Sequence, residues 1–210
     1  MTHTHVRTMV ESSLVAAALL LSAGVASAQE VGTVASVEGA AEIGNGGAWT
    51  AAATGSPVHR GDQLRTGTPG RMRVVFQDDS VLVVSESSFV TVNEQVFNPS
   101  TGKAKSYLEL LQGKVSAVVG DYYNRAGNSY EIKTVTAVAG VRGTVLWGDT
   151  DLDAICALDG HIEVRAISGN GPASQLAPGE CVNQMATGKT APLKPSAAEL
   201  AGYLREVTLE

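Results

Sequence analysis

The side chains of this chain that could do chemistry are a few acids and two histidines, and their spacing limits each of them. His59 and His161 are the histidines that follow residue 28. Neither belongs to an HExxH or other paired-ligand pattern, so a zinc site has little to build on. Asp149, Asp151 and Asp153 alternate, a spacing that can converge oxygen ligands on calcium. As an EF-hand loop the segment fails, because Ala154 stands where glycine is needed and Gly160 where the bidentate glutamate belongs. A solvated acidic turn between two strands is the expectation. Asp78, Asp79 and Glu94 could in principle serve as acid and base. Adjacent aspartates on a strand, however, point to opposite faces, and in a turn they cap backbone amides. No P-loop, Gly-x-Ser-x-Gly elbow or complete Gly-x-Gly-x-x-Gly run occurs. The expectation is a protein that is not an enzyme, with no catalytic residue, no cofactor and no metal.

Binding chemistry has more to work with. Trp49, Trp147, Tyr107 and Tyr130 are dispersed, but Tyr122-Tyr123 sits between Gly120 and Gly127 in a loop. Those two rings are either half-buried lid residues or a ligand contact. With the polar loops Asn45–Gly47 and Asn124–Asn128 they suggest carbohydrate or peptidoglycan binding as an alternative function. A net charge of −6 offers no basic field to nucleic acid or anionic lipid.

The compartment is read from the first residues. Arg7 and two histidines precede an apolar run, Leu14 to Leu21, which stops at Ala26-Ser27-Ala28. This is the pattern of a secretory signal peptide cleaved after Ala28, and the run is too short to anchor the chain across a bilayer. The expected mature chain is Gln29 to Glu210, periplasmic or secreted, without a membrane span. In an oxidising compartment Cys156 and Cys181 could pair, which would stabilise the fold by roughly 3 kcal/mol in the chain-entropy model, or they could stay as two buried thiols.

The elements that must position these residues read as strands. Short segments rich in Val, Ile, Leu, Thr and Tyr recur between Gly, Asn, Asp and Pro turns from Gln29 to Pro192. Met72, Val74 and Phe76 alternate with Arg71, Arg73 and Val75; Asp78-Asp79 turns the chain, and Ser80 to Val84 returns. Further strands are expected at Gly32–Val37, Phe89–Asn93, Tyr107–Leu111, Lys114–Val119, Tyr130–Val135 and Val141–Trp147. A hairpin is expected from Ile155–Leu158 through Asp159-Gly160, a pair suited to a type I′ turn, into His161–Ile167. Gly-led strands at Gly32, Gly113 and Gly160 hint at a roll or short β-solenoid, with a β-sandwich as the other option, of about 10 to 14 short strands. Beyond Leu193 a short helix is expected. Ser196 and Glu199 form a capping box, and Leu200, Tyr203, Leu204 and Val207 share one face, either docked on the β body or offered to a partner.

The segment Thr134 to Thr144 resembles the signature of the FecR domain, T-x-x-A-x-x-x-x-R-G-T. Gly61-Asp62-Gln63-Leu64-Arg65-Thr66-Gly67 is similar to the family's G-D-x-L-x-T-G. Arg71 to Val84 resembles its strand, acidic turn and strand, and Leu111 to Val115 its L-x-x-G-x-V. The resemblance runs from Gly61 to Val164 and implies an all-β domain over residues 29–192 with a tail over 193–210. The marker residues are Gly61, Asp62, Thr134, Gly140, Arg142, Gly143 and Thr144. Gly140 and Gly143 flank Arg142 as bulge or close-approach residues, and Arg142 is expected to reach Asp62, Asp78 or Asp79 and lock two turns together. In its best-known members the domain carries a signal from an outer-membrane iron-chelate receptor to a cytoplasmic sigma factor. This sequence shows no cytoplasmic segment ahead of a span, and its tail after Leu193 is short for a receptor-contacting part, so sigma-factor control is not carried over. A non-catalytic interaction or signalling module of the cell envelope, with a protein partner, is the expected function.

Overall fold

A computed structural model describes residues 29–168 and 171–207. The expected signal peptide, residues 1–28, lies outside the described residues. Among the described residues thirteen strands join one sheet: β1 (Glu30–Asn45), β2 (Ala48–Ala51), β3 (Pro57–His59), β4 (Gln63–Phe76), β5 (Val81–Val84), β6 (Phe89–Asn98), β7 (Lys103–Gln112), β8 (Lys114–Val118), β9 (Ser129–Lys133), β10 (Ala137–Asp149), β11 (Ala154–Ala166), β12 (Ser174–Leu176) and β13 (Glu180–Val182). One helix, α1 (Ala197–Val207), follows. No helix among the described residues is long and apolar enough to cross a membrane.

Seven of the strands close on themselves. The order β10-β8-β5-β4-β6-β7-β9 returns to β10, because β9 pairs with β7 on one side and β10 on the other. Every pairing is antiparallel except β7 with β9. This barrel-like ring is not clearly the roll or the sandwich that strand spacing allowed. The Gly-led strands do not stack as solenoid turns: β1 pairs with β2, β3 and β4, β8 with β5 and β10, and β11 with β10, β12 and β13. Strands β1 to β3 extend the sheet from β4, and β11 to β13 extend it from β10.

Alternation builds the core. In β4 every second residue from Leu64 and again from Met72 is buried, and Leu64, Met72, Val74 and Phe76 join Leu82, Leu108, Leu110, Ile132 and Leu146 in one cluster. Burying such a side chain fully contributes about 1.5–3 kcal/mol, which is what holds the ring shut.

The expected hairpin at Asp159-Gly160 does not form. Strand β11 runs straight through both residues and pairs with β10 from Ala137↔Ala166 to Asp149↔Ala154. Gly160 keeps a positive φ of 63°, yet it stands as the single residue facing a two-residue bulge at Gly143-Thr144, where the Gly143 φ is 50° and the register shifts between Arg142 and Val145; Leu158 is the extra residue on β11. A Cβ on Gly160 would lie 2.6 Å from the Thr144 side chain, so glycine is required for close approach as well. The chain reverses instead at Thr150–Asp153. There Asp149 accepts the N–H groups of Asp151 (2.7 Å) and Leu152 (3.0 Å).

Candidate interaction surface

The sequence-selected acids split between the interior and the turns. Asp62 is buried, accepting from Asn45 Nδ2 (2.5 Å) and the His59 N–H (2.7 Å), with His59 Nδ1 3.4 Å away. It fixes the turn into β4, beside which the Gly61 N–H donates to the Val92 carbonyl at 2.7 Å. Asp78 is fully buried. One of its oxygens takes the Ser80 N–H and hydroxyl (3.0 and 2.5 Å); the other takes Gln95 Nε2 (2.8 Å) and the Tyr123 hydroxyl. All four acceptor positions of that carboxylate are filled, which suits a structural anchor rather than an acid–base group. Asp79 is exposed, and Glu94 pairs with Lys105 at 2.8 Å.

Tyr123 therefore belongs to the core and not to a ligand platform. Its ring meets Tyr130 edge-on at 5.1 Å, and burial, reinforced by the Asp78 charge, pushes its hydroxyl far above the usual range. Tyr122 stays half-buried, edge-on to Phe97 at 4.9 Å with the Arg125 guanidinium above it. Trp49 packs beneath Arg65, 3.9 Å from ring centre to guanidinium, and tilts onto Phe89. These rings share no exposed plane, so the sequence basis for a sugar-binding platform falls away.

The signature segment is built from a turn and a bulge. Thr134 Oγ1 accepts the N–H groups of Thr136 (3.2 Å) and Ala137 (3.0 Å), closing the β9–β10 connection over the buried Ala137. Thr136 donates to Asp153 (2.5 Å), and Asp153 also receives the Ala186 N–H at 2.7 Å. Of the alternating acids, Asp149 and Asp153 thus work on backbone and hydroxyl donors, and Asp151 is exposed. No cluster of three His, Cys, Asp or Glu side chains suited to a metal occurs among the described residues. Thr144 is buried at the bulge, and its carbonyl accepts from the Val119 N–H at 2.9 Å.

Arg142 does not reach Asp62, Asp78 or Asp79. It is exposed and forms no ion pair with any described residue, because the bulge turns it to the outer face while all three acids serve turns elsewhere. On that face it stands directly across from His161. One row away, Glu131, Gly140, Glu163 and Gln175 lie side by side on β9, β10, β11 and β12. Gly140 has no side chain to interrupt the row, and a Cβ there would meet nothing closer than 3.9 Å, so packing does not demand glycine. A groove of about 390 Å³ results, with the Arg142 cation in one row and the two carboxylates in the next; Glu163 also accepts from Gln175 (2.8 Å) and pairs with Arg165 (3.3 Å). Its row of acids was invisible in the sequence, since Glu131, Glu163 and Gln175 meet only through strand register.

A second feature of the outer surface surrounds Trp147, whose neighbour Leu146 faces the interior. Cys156 and Cys181, opposite each other on β11 and β13, are joined in a disulfide with Cα atoms 4.0 Å apart. Trp147, Ala154 and the two cysteines form a small cluster against which Leu158, Leu193 and Tyr203 pack. Helix α1 lies over it with the Tyr203 ring stacked on Trp147 at 3.9 Å, a contact worth about 0.5–1.5 kcal/mol beyond the area it buries. Trp147 Nε1 donates to the Glu206 carboxylate (2.8 Å), which Lys114 approaches at 3.6 Å, and Arg71 donates to the Glu206 carbonyl. The capping box is present: Ser196 donates from its N–H (2.8 Å) and hydroxyl (2.7 Å) to Glu199. Of the expected helix face, Leu200 and Tyr203 turn inward but Leu204 is exposed, and the Val207 side chain lies outside the described residues. Glu206 takes the inward place instead.

Comparison with known proteins agrees with the strand order and signature. The family model described as FecR protein matches residues 62–170. Two crystal structures from Parabacteroides distasonis ATCC 8503, at 1.65 and 2.50 Å resolution and both titled "putative anti-sigma factor", share the fold with a TM-score of 0.51 and 17% identity. The alignments cover 68% of this chain and 64% and 63% of those chains, so this chain spans less than two thirds of their length. No curated protein matches.

Proposed function

Because this chain belongs to the FecR family, we propose that it is an exported, non-catalytic module that signals by binding another protein of the cell envelope. The observation that carries the reading is the position of Arg142. The signature residue Arg142 stands on the outer face without an ion pair to any described residue, in a groove it shares with His161, Glu131 and Glu163. The interior is filled by apolar side chains and the saturated Asp78 anchor. A groove with opposite charges in adjacent rows suits a protein segment that carries both an acid and a base, which it would orient as well as hold. The titles of the two similar structures support a regulatory role of this kind. Export rests on the residues ahead of Gln29.

The test is cross-linking in intact cells with the wild-type chain and with Arg142→Glu. One envelope protein is expected to be recovered with the wild type and to fall by about tenfold or more with the variant, the loss of one charge-assisted contact. Recovery unaffected by the substitution would reject the groove, and retention of the protein in the cytoplasm on fractionation would reject the compartment.

A further inference from the structure

Trp147 is only 1% exposed although it lies on the outer side of β10, clustered with the Cys156–Cys181 disulfide and Leu193 and capped by the stacked Tyr203 of one helix. That helix is thinly held. It has eleven residues, fewer than the roughly 12–15 that sustain an isolated helix in water, so it persists through docking. Ala197, Ala198 and Ala201 face outward, while Tyr203, Leu200 and Glu206 are seated against the sheet. The seat is larger than its occupant. A hollow of about 260 Å³ remains beside Leu152, Leu193 and Tyr203, and another of about 290 Å³ between Glu38, Arg71, Lys114 and Glu206. Leu152 is 56% exposed at the rim of the first. Trp147 and Lys114 converge on the Glu206 carboxylate while Arg71 holds its backbone carbonyl, so the seat is matched to a helix that ends in an acid.

We propose that this face is a docking surface for an amphipathic helix of a partner protein, and that α1 is the stand-in which that helix displaces; the proposal rests on the protein-interaction reading above. The incoming helix would present an aromatic ring to Trp147, a carboxylate one turn later to Trp147 Nε1 and Lys114, and a backbone carbonyl to Arg71. Its larger apolar side chains would fill the hollow beside Leu152 and Leu193, which α1 leaves open. Displacement needs no unfolding of the ring, because the chain is tied to the sheet upstream of α1 by the antiparallel Cys181↔Leu193 bridge. Residues 194–196 then form the hinge.

The probe is a fluorescent peptide with the sequence of residues 194–210, titrated into the full chain. A tethered helix competes at an effective concentration near the millimolar range. Tyr203→Ala in the chain weakens that competitor, so it should bind the peptide at least about tenfold more tightly than wild type does. Adding Lys114→Glu should reverse most of the gain, whereas Tyr203→Phe should behave as wild type. Equal peptide binding by the wild type and Tyr203→Ala would overturn the proposal. So would exchange of α1 between two copies, seen as a dimer in light scattering, because the occupant would then be a second copy of this chain. The partner captured by cross-linking should increase with Tyr203→Ala and decrease with Lys114→Glu. Capture indifferent to both would reject the helix seat while leaving the interaction reading intact; peptide exchange without any captured partner would do the opposite.

Discussion

Asp78 and Arg142 are both charged residues set among strands, and they meet opposite fates. Asp78 sits inside the ring with four donors aimed at its two oxygens. Arg142 sits on the outer face of β10 with no ion pair to any described residue, opposite an imidazole. The lesson lies in the count of partners supplied by the fold. A buried charge must be satisfied from within, so its surroundings are committed to it; an exposed charge with open valences remains available to something else.

Removing the two side chains should separate them most sharply. Asp78→Ala strands the Gln95 amide, the Tyr123 hydroxyl and Ser80, and should lower stability by roughly 3–5 kcal/mol in urea unfolding. A loss under about 1 kcal/mol would mean that the network is not an anchor. Tyr123→Phe keeps the ring against Tyr130 and deletes only the hydroxyl, so about 1.5–3 kcal/mol is expected from the lost bond to a charged acceptor. Arg142→Ala should leave the melting curve unchanged within about 0.5 kcal/mol. A larger loss would show that the arginine holds the fold after all and would dissolve the contrast. Glu199 lies between the extremes, exposed but held by Ser196, whose hydroxyl and N–H keep its carboxyl below the ordinary value of 4.5. A depressed folded value means that the cap contributes above the unfolded value and is lost as pH falls through the folded one. Carboxyl NMR should therefore find the midpoint below 4.5, moving up toward it in Ser196→Ala.

Much of this was legible from residue order where the cause is local. Alternation marked β4 and β5 with the Asp78-Asp79 turn between them, and the capping box marked the start of α1, because these patterns depend on neighbours a few positions apart. Closure of the ring depends on β9 finding β7 in parallel and β10 at once, contacts for which no short pattern exists. The Asp159-Gly160 pair misled for a related reason. A glycine with positive φ serves a turn or a bulge equally well, and only the partner strand decides which. The outer groove shows the same limit, since Arg142 was noticed by its motif while Glu131 and Glu163 reach it through pairing alone.

The bulge at Gly143-Thr144, set against Gly160 and offset by the extra residue Leu158 on β11, has a mechanical corollary. Strand β10 is the member that completes the ring and also carries the outer strands, so any slippage along it would misplace both at once. Two kinks that fit only each other act as a notch and tooth, admitting a single alignment of β10 with β11. A one-residue deletion between Arg142 and Val145 would therefore disturb surfaces on both flanks of the molecule, though it touches neither directly.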